Sequence, residues 1–303
     1  MTSSYTPGVY RYAVFLAVCT FCLLIAGALV TSNEAALSVP DWPLSYGTLT
    51  PPMVGGIRYE HTHRIIAAIV GLLTIGLAIL LWRKDSRSWV RNLGLAAIAV
   101  VVGQGVLGGL TVLLYLHYGM PVAHASLAQI FFGIIVSIAI FTSRWWTSDI
   151  LPLEDRGSPS IHTLATLNAT VIFLQVVLGA GFRHRDIPVW PHVVGAMVVL
   201  GTVTWTAVAL RKRFESSREI SKARMLLHAI FGAQFLLGIG AWWSRVSTVN
   251  APQPMPVMIT LTVIHTVVGA LLFATSVGVA LICYRLVPGR REVAAATERP
   301  VAI

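Results

Sequence analysis

Seven stretches of at least 18 residues contain no Asp, Glu, Lys or Arg: 12–33, 65–82, 92–143, 157–182, 187–210, 225–244 and 246–284. Crossing the hydrocarbon core of a bilayer takes roughly 20 mainly apolar residues, so the two longest windows must be divided. The polar segment Leu116–Pro121 breaks one of them, and in the other the Pro-rich segment Asn250–Pro256 precedes a single helix. The windows therefore predict eight transmembrane helices, with cores near 12–31, 64–82, 93–114, 122–143, 162–182, 191–210, 224–243 and 257–284. Composition agrees: 56% of the chain is hydrophobic and 11% charged, where a soluble domain carries about 25% charged residues. A soluble globular domain is excluded, and the expected class is an all-α integral membrane protein. The first apolar run continues to Val30, long for the apolar region of a cleaved signal, so the first helix is expected to be retained.

Eight spans put both ends of the chain on one face. The connections 83–92, 144–161 and 211–223 and the tail after Tyr284 hold the basic clusters, among them Arg83-Lys84, Arg211-Lys212-Arg213 and Arg290-Arg291. The connections 32–63, 115–121, 183–190 and 244–256 hold only Arg58, Arg183, Arg185 and Arg245. The bias of Lys and Arg toward the cytoplasm places both termini there, in a plasma membrane, with the net charge of +10 facing anionic lipid headgroups. The basic loops are short and lack interleaved aromatic residues, so nucleic acid is not an expected partner. Cys19, Cys22 and Cys283 all fall within helices, which leaves no disulfide framework in the outer loops.

A pattern repeats along the helices. The third, fifth and seventh spans contain Gln104–Gly108, Gln175–Gly179 and Gln234–Gly238, each with Gln and Gly four apart. Each is followed by an outer loop and then by a helix with a histidine near its outer end: His124, His192 and His265. The first span lacks the Gln but has Gly27 at a comparable depth, and His63 follows in the second. The repeating unit is a helical hairpin, and two hairpins form a half. The halves, 1–150 and 151–303, are expected to be parallel four-helix repeats about an axis along the membrane normal. Glycine permits close helix approach, and a glutamine amide in lipid needs a partner within the bundle.

Ionisable groups inside a span are costly and usually functional. Four histidines at equivalent positions suit metal ligation, and two imidazoles facing each other across a bundle suit the axial positions of haem iron. Zinc asks for three or four convergent ligands, and no local cluster offers them. A proton or ion pathway and plain structural hydrogen bonding remain as other readings of the same four residues. His61, His117, His162, His184 and His228 are expected to hydrogen-bond or meet solvent. Glu60 lies three residues before His63, on the same side of one helix, and Arg64 follows. Glu60 thus suits proton transfer, or else an ion pair with Arg58 or Arg64. No carboxylate neighbours His192 or His265. The long first outer connection, with Trp42 and Tyr46 suited to the interface, reads as a folded cap or as an ordered interfacial loop.

Taken together, Ser38–Gly47, the Glu60-His61-Thr62-His63-Arg64 motif, the Gln- and Gly-bearing odd spans and the spaced histidines resemble the haem A synthase family of the COX15/CtaA type, over residues 10–285. The resemblance implies eight helices in two similar halves and oxidation of the C8 methyl of haem O to the formyl of haem A, for cytochrome c oxidase assembly. It also implies that His63 and His124 bracket the substrate haem in the first half. His192 and His265 would then hold a haem b cofactor in the second, and Glu60 would be the catalytic glutamate. Haem O is the implied substrate, delivered by a haem O synthase; an electron acceptor and a homo-oligomer are compatible with the family. The chain departs from the family in two respects: Ala125, Val193 and Thr266 follow the other three histidines where the family often has Arg, and the first outer loop lacks the cysteine pair of many bacterial members. A diheme b-type electron carrier or quinol-oxidising subunit is the alternative from another functional class.

Overall fold

The computed structural model describes residues 5–288 and is all-α among them. Its helices are α1 (Pro7–Ser32), α2 (Ile57–Lys84), α3 (Ser88–Leu113), α4 (Met120–Phe141), α5 (Arg144–Thr147), α6 (Ile161–Arg183), α7 (Trp190–Arg213), α8 (Arg218–Ser247) and α9 (Pro256–Leu286). All but the four-residue α5 are long and apolar enough to cross a membrane, so the chain has the architecture of a multi-pass membrane protein. Arg290, Arg291 and Arg299, which enter the charge comparison, lie outside the described residues.

The helices extend past the apolar cores read from sequence because polar residues complete their end turns. α2 starts at Ile57 rather than near 64, which takes Glu60 and His61 into its first turns. Proline occupies the first turn of α1, α4, α7 and α9, where its missing N–H has no intrahelical partner to lose. Ser160 and Ser217 cap α6 and α8 by accepting from the amides of Thr163 and Ile220. Gly119, before α4, has φ +79°, a left-handed conformation that glycine adopts without strain.

Consecutive long helices pack as antiparallel neighbours, and the apolar core falls into two large clusters. Val9, Leu16, Val70, Leu77, Val90 and Ile135 belong to one, on α1–α4. Ile161, Ile172, Val203, Leu210, Leu227 and Leu272 belong to the other, on α6–α9. Two smaller groups stitch them together, Ala28 with Val263 and Val267, and Phe132 with Ala270 and Ala274. The outward faces are as apolar as the cores, as at Leu72, Leu174, Leu226 and Leu236. In lipid there is no hydrophobic drive to bury such residues.

Candidate functional site

The four repeated histidines gather at the end of the bundle that carries the 33–56 connection, each beside the glycine that precedes it in the repeat. A methyl group built on Gly27 would lie 3.1 Å from His63 Cε1; on Gly108, 3.2 Å from His124 Cε1; on Gly179, 2.9 Å from His192 Cε1; and on Gly238, 3.1 Å from His265 Cε1. Any side chain at these positions would press on an imidazole. The glycines are therefore ring seats as well as helix contacts.

The glutamines act on the same histidines. Gln104 Nε2 donates to the backbone carbonyl of His124 at 3.0 Å. Gln175 Nε2 donates to the carbonyl of His192 at 2.8 Å and lies 3.0 Å from its Nδ1. Gln234 Nε2 lies 3.4 Å from His265 Nε2. The partner that each amide requires in lipid is thus the histidine of the next helix, a link the spacing alone does not reveal.

The rings of His192 and His265 have centres 6.3 Å apart and planes at 90°. With metal–imidazole bonds of about 2.0–2.1 Å, two imidazoles on opposite sides of one ion have ring centres about 6–6.5 Å apart. A perpendicular pair can still hold the common axis in both ring planes. His63 and His124 lie close enough to act on one another electrostatically. The Nδ1 atoms of His63, His124 and His265 are buried without a hydrogen-bond partner, a costly state for a polar atom. Among the described residues, no three His, Cys, Asp or Glu side chains converge as a metal cluster. These donors come in pairs, an arrangement that suits a metal already held by four equatorial bonds, as in a porphyrin.

Glu60 is 5% exposed, and both of its oxygens are engaged. Oε1 accepts from Arg64 at 2.7 Å, and Oε2 accepts from the amide of Val39 at 3.0 Å. Arg64 also donates to the carbonyls of Asp41, Leu44 and Val39, at 2.7, 2.6 and 3.2 Å. His61 Nδ1 is 2.8 Å from Ser45 Oγ, so His61 takes the hydrogen-bonding part expected of it. Together these residues fasten the 33–56 connection down on α2. Trp42 packs on Gly109 of α3, where a methyl group would come within 2.8 Å of its ring. Ala35, Val39 and Ser45 are buried beneath. The connection is a folded cap, and the Arg64 partner of Glu60 is one of the two cations the sequence offered.

Within the cap, Asp41 accepts from the amides of Tyr46 and Gly47 at 2.7 and 2.8 Å. The Gly47 amide foremost, with Tyr46 and Arg64, holds its carboxyl below the usual carboxylate range. His184, just past α6, sits near His124; burial first, then the adjacent Arg183 charge, pushes its imidazole down to about 4, so it is neutral at physiological pH. His162 stacks on Tyr284 with centres 4.2 Å apart, and His228 Nδ1 is 2.9 Å from the Arg224 carbonyl; both lie far along their helices from the four. Cys19, Cys22 and Cys283 are free.

Sequence reasoning passed over Arg183, which it counted only as an outer charge. Its guanidinium reaches α1 at Ala28 and Ser32 and α9 at Thr266. The available signal was its place at the end of a charge-free window, next to a histidine.

Comparison with known proteins finds similarity to one family over part of the chain. Residues 57–190, from the start of α2 to the start of α7, match the family model described as COX15-CtaA, cytochrome oxidase assembly protein. A "Heme A synthase" of Bacillus pumilus is 27% identical over 168 residues, 54% of this chain and 54% of that protein. One from Halalkalibacterium halodurans is 24% identical over 296 residues, covering 87% of this chain and 93% of that protein. One from Novosphingobium aromaticivorans is 30% identical over 258 residues, 82% of this chain and 59% of that protein. The chain spans about half the length of the first curated relatives it matches. The motif in the first turns of α2 and the histidine of α4 both lie inside the matched region, and at the family level the chain matches the COX15-CtaA family of haem A synthases.

Proposed function

We propose that this protein is a haem A synthase, an oxidoreductase that converts the C8 methyl of haem O to the formyl of haem A. In this reading the chain forms two parallel four-helix halves, 1–150 and 151–303, with both termini cytoplasmic. His63 and His124 flank the substrate haem in the first half, and His192 and His265 hold haem b in the second. The observation that carries the reading is the fourfold glycine–histidine seat at one end of the bundle, with the cap and the carboxylate beside the first pair alone.

Converting a methyl to a formyl group removes four electrons and four protons and gains one oxygen atom, in net terms from one water. When bound, haem b would supply one-electron redox chemistry. The chain's own residues have simpler tasks. His192 and His265 would hold the haem, while Gln175 fixes the backbone of His192 and Gly179 and Gly238 leave room for the rings. The cap excludes bulk water from the first pair, and low local polarity strengthens every charge interaction there. Glu60 is the carboxylate placed one turn from His63 to take a proton at an oxygen shared with Arg64.

The test is the pigment extracted from the purified protein. Haem O or haem A found by mass spectrometry beside haem b supports the synthase. Haem b alone favours a diheme electron carrier instead.

A further inference from the structure

Arg183 ends α6 at the seam between the two histidine pairs. Its Nη2 donates to the Ala28 carbonyl at 2.8 Å and to Ser32 Oγ at 2.7 Å, on α1. Its Nη1 donates to Thr266 Oγ1 at 2.5 Å and to the Thr262 carbonyl at 3.5 Å, on α9. Every one of these acceptors is neutral. Among the described residues no Asp or Glu comes within ion-pair distance of Arg183. A guanidinium keeps its proton at any physiological pH, so the seam contains a permanent positive charge. Thr266 is the residue after His265, and Ala28 is the residue after Gly27, the seat of His63. The charge therefore lies one residue from each histidine site.

The neighbours of Arg183 keep it there. Asp186 accepts from the amide of Gly119 at 3.0 Å, and Arg185 lies 3.7 Å from Glu34, so the turn after α6 is tied to the first half on both sides. The nearby Arg245, exposed over the ring of Phe182 at 5.3 Å, adds charge of the same sign. An unpaired charge within a membrane bundle is expensive. Packing alone does not require it, since a neutral amide could donate to these acceptors without bringing a charge.

We infer that Arg183 is a positioning residue that biases the iron held by His192 and His265 toward its reduced state, while joining the two halves at the seam. The inference rests on the haem-binding reading above. Taking ferric iron to ferrous adds one electron and lowers the local charge by one. A fixed cation in a weakly screened site favours that change, and a more readily reduced cofactor is the better recipient for electrons leaving a methyl group.

The test is potentiometric titration of the full-length protein with its bound haem, using dithionite and redox mediators, on wild type and three variants. Arg183→Gln removes the charge. Ser32→Asp keeps the arginine but sets a carboxylate against it. Arg183→Lys keeps the charge and loses the fork. Arg183→Gln and Ser32→Asp are expected to shift the ferric–ferrous equilibrium at least tenfold toward ferric iron, a fall of 59 mV for a one-electron couple; Arg183→Lys stays near wild type. If Arg183→Gln fails to fold or to bind haem, Ser32→Asp decides the matter. Wild-type potentials in Arg183→Gln and Ser32→Asp overturn the inference and leave the haem A synthase reading standing. A shift in Arg183→Gln without one in Ser32→Asp overturns it too, because shape rather than charge was then lost. Wild-type protein that carries no haem overturns the proposed function itself.

Discussion

The sharpest perturbation this structure offers is one methyl group at Gly179. Built there, it would lie 2.9 Å from His192 Cε1 and 3.3 Å from Nδ1, where carbon atoms settle at about 3.5–4.0 Å. The ring must retreat by about 0.6 Å or more, whereas metal–ligand bonds hold their lengths to about 0.2 Å. His192 has little freedom to retreat, because Gln175 grips both its carbonyl and its Nδ1. Overpacking of this kind costs about 1–3 kcal/mol, and at 1.4 kcal/mol per factor of ten haem affinity at this pair should fall by about 5- to 150-fold. Helix propensity works the other way, since Ala is favoured over Gly by about 1 kcal/mol, so the fold itself should survive. The assay is haem b per folded protein, with the low-spin absorption that two imidazole ligands give. Gly201→Ala, on α7 with no atom within 4 Å of the added methyl, is the matched control and should bind haem normally. Gly108→Ala, with its 3.2 Å approach, should show a milder loss at the other pair. Wild-type haem occupancy in Gly179→Ala would refute the reasoning, because it would mean that the His192 ring position does not matter to the ligand.

Glu60→Gln keeps the shape but removes the charge that Arg64 meets at 2.7 Å. The ratio of haem O to haem A, normalised to bound haem b, should rise, with Glu60→Asp intermediate, and a wild-type ratio would strike Glu60 from the catalytic residues. The cap should weaken in acid. Because the Asp41 carboxyl is held below its ordinary value, its contribution is complete above the unfolded carboxylate value of about 3.9 and is lost as pH falls through the lower folded value. Protection of the Tyr46 and Gly47 amides, referred to their intrinsic exchange at each pH, should fall over that interval in wild type, and Asp41→Asn should lack that step. Reporter fusions at Lys84, Asp155 and Phe214 should read cytoplasmic and those at Gly47, Gly119, His184 and Gln253 should read outside; a consistent exchange of the two sets would reverse the orientation.

The helices were legible because lipid imposes a length and a lack of charge on every span, and neither depends on knowing what packs on what. The glycine–histidine units were legible for a related reason, since Gln104–Gly108 and its two counterparts recur at a spacing that a helix turns into one face. What the glutamines hold was not, because an amide's partner lies on another helix and the sequence offers many candidates. The short α5 escaped notice because four residues leave no periodicity. Glu60 shows the limit most clearly. Its spacing from His63 and Arg64 suited both a proton carrier and an ion pair, and only the fold brought the Val39 amide to its second oxygen. Arg183 offered only its position as a signal, because the acceptors that surround it come from α1 and α9, more than 75 residues away in either direction along the chain.

The fastening of the cap has a kinetic meaning. Five hydrogen bonds that involve α2 side chains fasten the 33–56 connection: three from Arg64 to carbonyls, one from Val39 to Glu60 and one between Ser45 and His61. At about 1 kcal/mol net for each, lifting the cap costs about 5 kcal/mol, which leaves it open on the order of once in several thousand molecules. Anything that must pass beneath it is slowed by the same factor, on the way in and on the way out alike. A guest under such a cover is held by residence time more than by affinity. If the proposed oxidation takes place beneath it, a partly reacted intermediate would stay long enough for a second oxidation to reach it before it escapes.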